Sequence, residues 1–317
     1  MIIRTVKASE IVRKMRGGAQ SCLVRTDSNE FFVAKALDNP QHSRVVVNEM
    51  LGTVVLRQLG VLAPELALIN IPPETLTPNQ YFELARGRKP MQPGVYFGSR
   101  YPGDPARVAV YDFLPSRMLP KVVNLRDFCG ALVFDKWVDN TDHRQAVFCR
   151  SNAGFRAYMI DQGGIFGGPD WKFHDDQRSG LYAFAPVVYQ QVKSLDDFQP
   201  WLDRARYFPE KILDEVYRAL PAEWIDCSRP ELEALLDQLV ARRLRIPDLL
   251  LGCRQAQPSL FPNWTLQRLP DQQWSHEFAR TAGERIRDSD DCAHGSGDGF
   301  GADHDKCLSD TADVADR

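Results

Sequence analysis

Two extended runs open the chain, Ser21-Cys22-Leu23-Val24 and Phe31 to Leu37, on either side of a turn at Asp27-Ser28-Asn29, and they predict a pair of strands. In the second run a period of two puts Lys35 on the same face as Phe31, Val33 and Leu37, so this lysine needs an anionic partner unless it merely guards a sheet edge. A helix is predicted from Ser43 to Leu59, with apolar residues around much of its circumference. Glu49 lies in that helix with Val45 and Val46 one turn before it and no Lys or Arg at i±3 or i±4. A carboxylate in such surroundings is costly unless paired, which predicts a salt bridge to Lys35.

Further along, Ile71 to Pro105 is rich in Pro, Gly and polar residues and predicts an irregular excursion that either covers a cleft or decorates the sheet. An amphipathic segment ending near Val138 precedes the apolar run Ala146 to Cys149, and Tyr158 to Ile160 forms the next strand. The turn Ser151-Asn152-Ala153-Gly154 pairs these two as a hairpin. Asp142, in the loop before it, and Asp161, at its far end, are thereby brought to the same end. Either aspartate alone reads more readily as a turn residue, and it is the pair that points to chemistry. The last third is helical: Ile212, Leu213, Val216 and Leu220 share one face, and Ser228-Arg229-Pro230-Glu231 reads as a capping box before Leu232, Leu235, Leu236 and Leu239. Arg242, Arg243 and Arg245 read as a solvated helix end. Folded structure is expected to close around Trp264, with a loosely held extension to about Arg280.

Composition changes this picture at the chain's end. The sequence has 317 residues, 44% hydrophobic and 26% charged, and a net charge of −3. From Thr281 onward ten acidic residues face four basic ones, a net of −6 that leaves +3 on the rest. That stretch has Phe300 as its single aromatic residue and is expected to be disordered, with His294 and His304 not forming a metal site. A body at +3 lacks the signature of a nucleic-acid binder. No run is long and apolar enough to span a membrane, and Met1-Ile2-Ile3-Arg4 leads into Lys7 and Glu10 rather than a signal-peptide core, which predicts a cytoplasmic protein without membrane partners. The seven cysteines show no metal or disulfide spacing and are expected to be reduced.

The candidate chemistry follows from Asp142 and Asp161 together. One aspartate that places a hydroxyl beside another that holds a cation against phosphates is the arrangement phosphoryl transfer requires. Upstream, Arg16-Gly17-Gly18-Ala19-Gln20-Ser21 offers glycines whose N–H groups a phosphate can approach, although Gly-Gly pairs also mark ordinary turns. Val33-Ala34-Lys35 then matches the strand lysine that kinases set on nucleotide phosphates.

Taken in order, Gly17-Gly18-Ala19-Gln20-Ser21, Val33-Ala34-Lys35, Asn48-Glu49-Met50, Val110-Tyr111-Asp112-Phe113-Leu114, Asp139-Asn140-Thr141-Asp142-His143-Arg144-Gln145 and Met159-Ile160-Asp161-Gln162-Gly163 resemble the bacterial HipA-like kinases, more specifically the shorter HipA-like kinase domain proteins. The likeness runs from about Arg16 to Trp264. It implies an α+β, protein-kinase-like, two-lobed fold, with a β-rich N-lobe over residues 1–111 and a helical C-lobe over 112–264. It also implies ATP and magnesium as cofactors and phosphoryl transfer to a hydroxyl, on a protein Ser or Thr. A small-molecule or lipid kinase and a nucleotide-binding pseudokinase are the alternatives.

Carried over by resemblance, Lys35 binds ATP phosphates, Glu49 holds Lys35, Asp142 is the base and Asp161 binds metal. Gly17, Gly18, Ala19, Gln20 and Ser21 form the phosphate loop. Val110, Tyr111, Asp112 and Phe113 lie in a hinge that meets adenine through its backbone. Many kinase-like enzymes carry a metal-binding Asn five residues after the base. Here that position is Val147, so Gln145, or alternatively Asn140, has to substitute. The chain begins almost at the phosphate loop, without the extra N-terminal domain of longer toxin-type relatives, which argues against a DNA-binding antitoxin as partner.

Overall fold

The computed structural model describes residues 3–84, 86–225 and 228–265. The expectations for the extension to Arg280 and for the acidic tail with His294 and His304 lie outside the described residues, as do Cys227, Cys292 and Cys307. The chain divides into a compact unit of Met1–Thr265 and a remainder of Leu266–Arg317. Among the described residues no helix is long and apolar enough to cross a membrane, and Cys22, Cys129, Cys149 and Cys253 are buried free thiols.

The first part of the chain is a closed five-stranded barrel. Strands β1 (Thr5–Lys14), β2 (Cys22–Thr26) and β3 (Phe31–Lys35) form an antiparallel meander. Strand β4 (Leu66–Ile71) pairs in parallel with β1. The barrel closes through β7 (Gly94–Arg100), antiparallel to both β3 and β4, giving the order β1-β2-β3-β7-β4. Alternation fills its interior from one face of each strand, with Val24, Phe32, Ala34 and Ile69 forming a small separate core. Between β4 and β7 the excursion folds into a hairpin of β5 (Tyr81–Glu83) and β6 (Arg88–Pro90).

Helix α1 (Val45–Gln58) explains the apolar circumference seen in its sequence. It packs on β7 on one side and on α2 (Asp127–Val138), α4 (Glu210–Ala219) and α5 (Ala222–Ile225) on the other, so every residue from Val45 to Leu56 is buried. Its side chains belong to the large core that continues through α2 to the C-terminal helices rather than to the barrel's own core. Gly52 makes part of this possible: a Cβ there would stand 2.7 Å from Ile165 Cδ1 and 2.8 Å from Gln162 Cβ.

A second sheet, β10-β9-β8, joins β8 (Val110–Tyr111), β9 (Gln145–Ser151) and β10 (Gly154–Ile160). Because β8 pairs with β9, the segment around Tyr111 belongs with the second hairpin, and the barrel itself ends at Arg100. The remaining helices, α3 (Trp201–Arg206), α6 (Arg229–Arg242) and α7 (Ile246–Ala256), gather around α2. Along α4, Leu213 and Val216 are buried, as its period predicts. The expected capping box at the start of α6 does not form. Ser228 makes no side-chain cap bond, and Glu231 instead meets Arg44 at 2.7 Å. Of the three arginines at the end of α6, Arg245 is exposed, as expected, and pairs with Asp175, but Arg242 is buried on the carbonyls of Trp137 and Lys136, and Arg243 donates to the Phe208 carbonyl and pairs with Glu210.

Candidate active site

The β9–β10 hairpin runs in unbroken register from Gln145↔Ile160 to Ser151↔Gly154, and its open end carries both aspartates. Helix α2 stops at Asp139, whose left-handed backbone (φ 51°) reverses the chain into the loop that bears Asp142. The Asp142 N–H donates to Asn140 Oδ1 (3.1 Å), and its carbonyl accepts from Gly180 N–H (2.8 Å). Its carboxylate lies over Gly164, where a Cβ would come within 2.5 Å of Oδ2, so the second glycine of Asp161-Gln162-Gly163-Gly164 is required for this approach. Asp161 follows β10 directly in a left-handed conformation (φ 62°), which turns its carboxylate back toward Lys35. Partial burial, and then the neighbouring charge of Asp161, raise the Asp142 carboxyl above its ordinary value. A carboxylic acid that is harder to ionise has a carboxylate that accepts a proton more readily.

Lys35 ends β3, and its Cα partner on β7 is Phe97. Its ammonium meets Glu49 Oε1 and also Asp161 Oδ1 at 2.8 Å. Burial alone would lower the lysine's pKa, but the two carboxylates overcome it and hold the group protonated beyond its usual range. Burial likewise opposes ionisation of Asp161, yet Lys35 brings that carboxyl down to about 2. Glu49 Oε1 also accepts the Gln162 N–H (3.0 Å), so α1, β3 and the loop after β10 meet at one point. The Lys35–Glu49 bridge was legible in the sequence. The second arm to Asp161 was not, because no local pattern brings residues 126 positions apart together.

Several residues that hold the site escaped sequence reasoning. Arg144 and Asp135 form a fully buried ion pair, and Arg144 also donates to the Ile160 carbonyl (2.9 Å) and Gln162 Oε1 (3.0 Å). One guanidinium therefore ties the Asp142 loop to the Asp161 loop. Asn140 links Asp135 Oδ1 (2.9 Å) to the Asp142 backbone. Asn48 donates to the carbonyls of Gly163 (2.8 Å) and Ile165 (3.0 Å) and accepts from Trp171 Nε1 (2.8 Å). The argument that flagged Glu49 applies equally to Asp135 in Phe134-Asp135-Lys136-Trp137 and would have found it. His42 precedes α1, with one ring nitrogen buried and unpartnered. Burial lowers its pKa, against an opposing contact with the Gly163 backbone.

The glycine loop connects β1 to β2. Gly17 takes φ 116° and accepts from Gln20 N–H (3.2 Å), and Gly17 and Gly18 are exposed while Ala19 and Ser21 are buried. The register Cys22↔Ala34 sets the loop's exit beside Lys35. Gln20 is committed elsewhere: its amide bonds the backbone of Glu83, donating to the carbonyl (2.5 Å) and accepting from N–H (2.6 Å). In the expected hinge, Tyr111 and Phe113 are exposed and Leu114 is buried. Gln145 sits at the mouth of the hairpin and donates through Nε2 to Asp161 Oδ2 (2.8 Å). Val147 lies within β9 opposite Tyr158.

Among the described residues no group of three or more His, Cys, Asp or Glu could hold a metal unaided. The lysine cluster nonetheless sets one ammonium against two carboxylates, with Asp142 close enough to feel Asp161. This surplus negative charge suits a hard cation that draws its other ligands from phosphates and water.

A family model described as HipA-like kinase matches residues 8–242. The chain belongs to that family. No curated protein matches the sequence. Among solved structures, this HipA-like kinase is similar to a hydra Fam20 determined with sugar (14% identity, 80% of this chain and 87% of that one, TM-score 0.49). It is also similar to the Golgi casein kinase (13%, 80% and 75%, TM-score 0.47) and to the Helicobacter pylori proinflammatory kinase CtkA (12%, 80% and 99%, TM-score 0.45). At scores this low the likenesses bear on neither the site nor the substrate.

Proposed function

We propose that this HipA-like kinase transfers the γ-phosphoryl group of ATP, with magnesium, to the hydroxyl of a protein Ser or Thr. The observation that carries the reading is the junction at Lys35, which joins Glu49 of α1 to Asp161 while the Asp142 carboxylate lies over Gly164. In this reading the barrel with α1 is the small lobe, the α2-centred helices are the large one, and the glycine loop and the Val110–Phe113 segment frame the nucleotide. ATP supplies the phosphoryl group and magnesium neutralises its charge.

The chain's own residues do the remaining work. Lys35 offers its ammonium to the phosphates, and Glu49 fixes that ammonium in place. Asp161 supplies the carboxylate for the cation. Asp142 orients the substrate hydroxyl and accepts its proton as the new O–P bond forms and the bond to the ADP leaving group breaks. Gln145, bonded to Asp161 through its nitrogen, is assigned an orienting role beside the metal. A second reading, a nucleotide-binding pseudokinase, is favoured by one observation: Val147, within β9, stands five residues after Asp142, where the resemblance to kinase-like enzymes expects a metal-binding Asn.

Single-turnover transfer of labelled phosphate from ATP to protein, compared with Asp142→Asn, separates the two readings. Transfer by the wild type alone supports the kinase. Binding of Mg-ATP without transfer at any magnesium concentration supports the pseudokinase.

A further inference from the structure

The excursion between β4 and β7 is tied to the elements around the glycine loop. Its β5–β6 hairpin is fastened to the glycine loop by both polar atoms of the Gln20 amide on the Glu83 backbone, and to the β3–α1 connection by Lys89 on Asp38 (2.8 Å). Asn39 of that connection in turn holds the glycine loop through the Ala19 carbonyl (2.9 Å). The hairpin is thus a fixed part of the rim beside the loop.

This rim is basic. Lys14 and Arg88 approach the ring of Tyr81 at 5.6 and 4.1 Å. Lys89, next to Arg88 on β6, lies on the strand's other face, opposite Phe82, and Arg16 and Arg86 are exposed. Lys14, Arg16, Arg86 and Arg88 therefore stand on and beside the hairpin with Glu83, 3.8 Å from Lys14, as the carboxylate paired among them, while Lys89 is spent on Asp38. Charge of one sign concentrated on a fixed, solvated surface selects an oppositely charged partner and speeds its arrival.

We propose that this hairpin docks an acidic segment of the protein substrate, so that the enzyme selects hydroxyls flanked by Asp, Glu or phosphorylated residues. The word substrate rests on the kinase reading above; the docking itself does not. Arginines suit this partner because their planar forks take carboxylates in pairs. RNA fits less well. Single-stranded nucleic acid needs aromatic rings free for stacking, whereas Tyr81 is already occupied by its two cations and Phe82 is buried.

The test is fluorescence anisotropy on the full chain without ATP, using labelled peptides that carry a central Ser among Asp and Glu, among Asn and Gln, or among Lys. The acidic peptide should bind about tenfold or more tighter than the neutral one, a gap of roughly 1.4 kcal/mol. The preference should fade between about 50 and about 300 mM salt as screening grows. Arg86→Glu with Arg88→Glu should abolish it while leaving the melting temperature and its rise with Mg-ATP unchanged. If that variant unfolds, Arg86→Gln with Arg88→Gln replaces it. Equal binding of acidic and neutral peptides, a preference that survives the double substitution, tighter binding of a single-stranded RNA, or loss of the Mg-ATP response in the variant would each overturn the proposal. Failure of phosphate transfer with the peptide preference intact would count against the kinase reading alone.

Discussion

Two buried ionic clusters lie within one loop of each other, and they differ in balance. Around Arg144, one cation meets one carboxylate, both side chains are fully buried, and every polar arm of the guanidinium is spent on Asp135, Ile160 or Gln162. Around Lys35, one cation meets two carboxylates, and 27% of the Asp161 side chain remains exposed. The neutral, closed cluster holds backbone segments in place. The unbalanced, open one keeps a charge in reserve and an oxygen within reach of solvent. A buried ion pair alone therefore does not mark a reactive centre; the surplus and the access do.

The comparison can be tested first where the reserve charge is put to use. Asp142→Asn should reduce phosphate transfer by about 10²- to 10⁴-fold, the range of a lost general base, with the Mg-ATP shift in melting temperature retained. Equal turnover would remove Asp142 from the chemistry. On the closed side, Arg144→Met leaves Asp135 charged, buried and unpaired, and should cost about 3–5 kcal/mol in denaturant unfolding. A loss under about 1 kcal/mol would mean that Arg144 is not the tie described above.

A smaller effect follows from pH. Asp161 is lowered from 3.8 to about 2 in the folded chain, so its contribution is present above its unfolded pKa and is lost as pH falls through the folded one. That contribution is on the order of 2 kcal/mol. It depends on Lys35, so the stability gap between wild type and Lys35→Met should narrow as the pH drops from neutral toward 2. A gap independent of pH over that window would break the assignment. The smallest change is at Gln145. Its single bond to Asp161 is worth about 0.5–1.5 kcal/mol, so Gln145→Ala should lower turnover a few-fold with the magnesium requirement unchanged. A marked rise in that requirement would instead make Gln145 a ligand.

Much of this site was legible in the sequence because it rests on local patterns. Period two placed Lys35, an apolar helix without a nearby cation exposed the need of Glu49, and a two-residue turn carried Asp142 and Asp161 to one end of a hairpin. What escaped has a common cause. Lys35 with Asp161, Asn48 with Trp171 and Arg144 with Asp135 depend on chain segments whose meeting no periodicity encodes. The glycine loop shows the reverse error of emphasis: its composition points to phosphates, while one of its members, Gln20, is spent fastening a hairpin whose presence its neighbours do not announce. Likewise Ser228 and Glu231 have the spacing of a cap, but a competing arginine on another element takes the glutamate.

The bonds made by Asn48 bear on how such an enzyme can be controlled. If α1 swung outward, two donors and one acceptor of Asn48 would lose their partners, together with the Glu49 contacts to Lys35 and Gln162. Exchanged for water these bonds are worth about 0.5–1.5 kcal/mol each, and together they favour the docked position of the helix. A ligand that worked by moving this helix would have to repay most of that difference through its own preference for the withdrawn form. Control that leaves this helix docked would act instead on what is admitted to the site beside it.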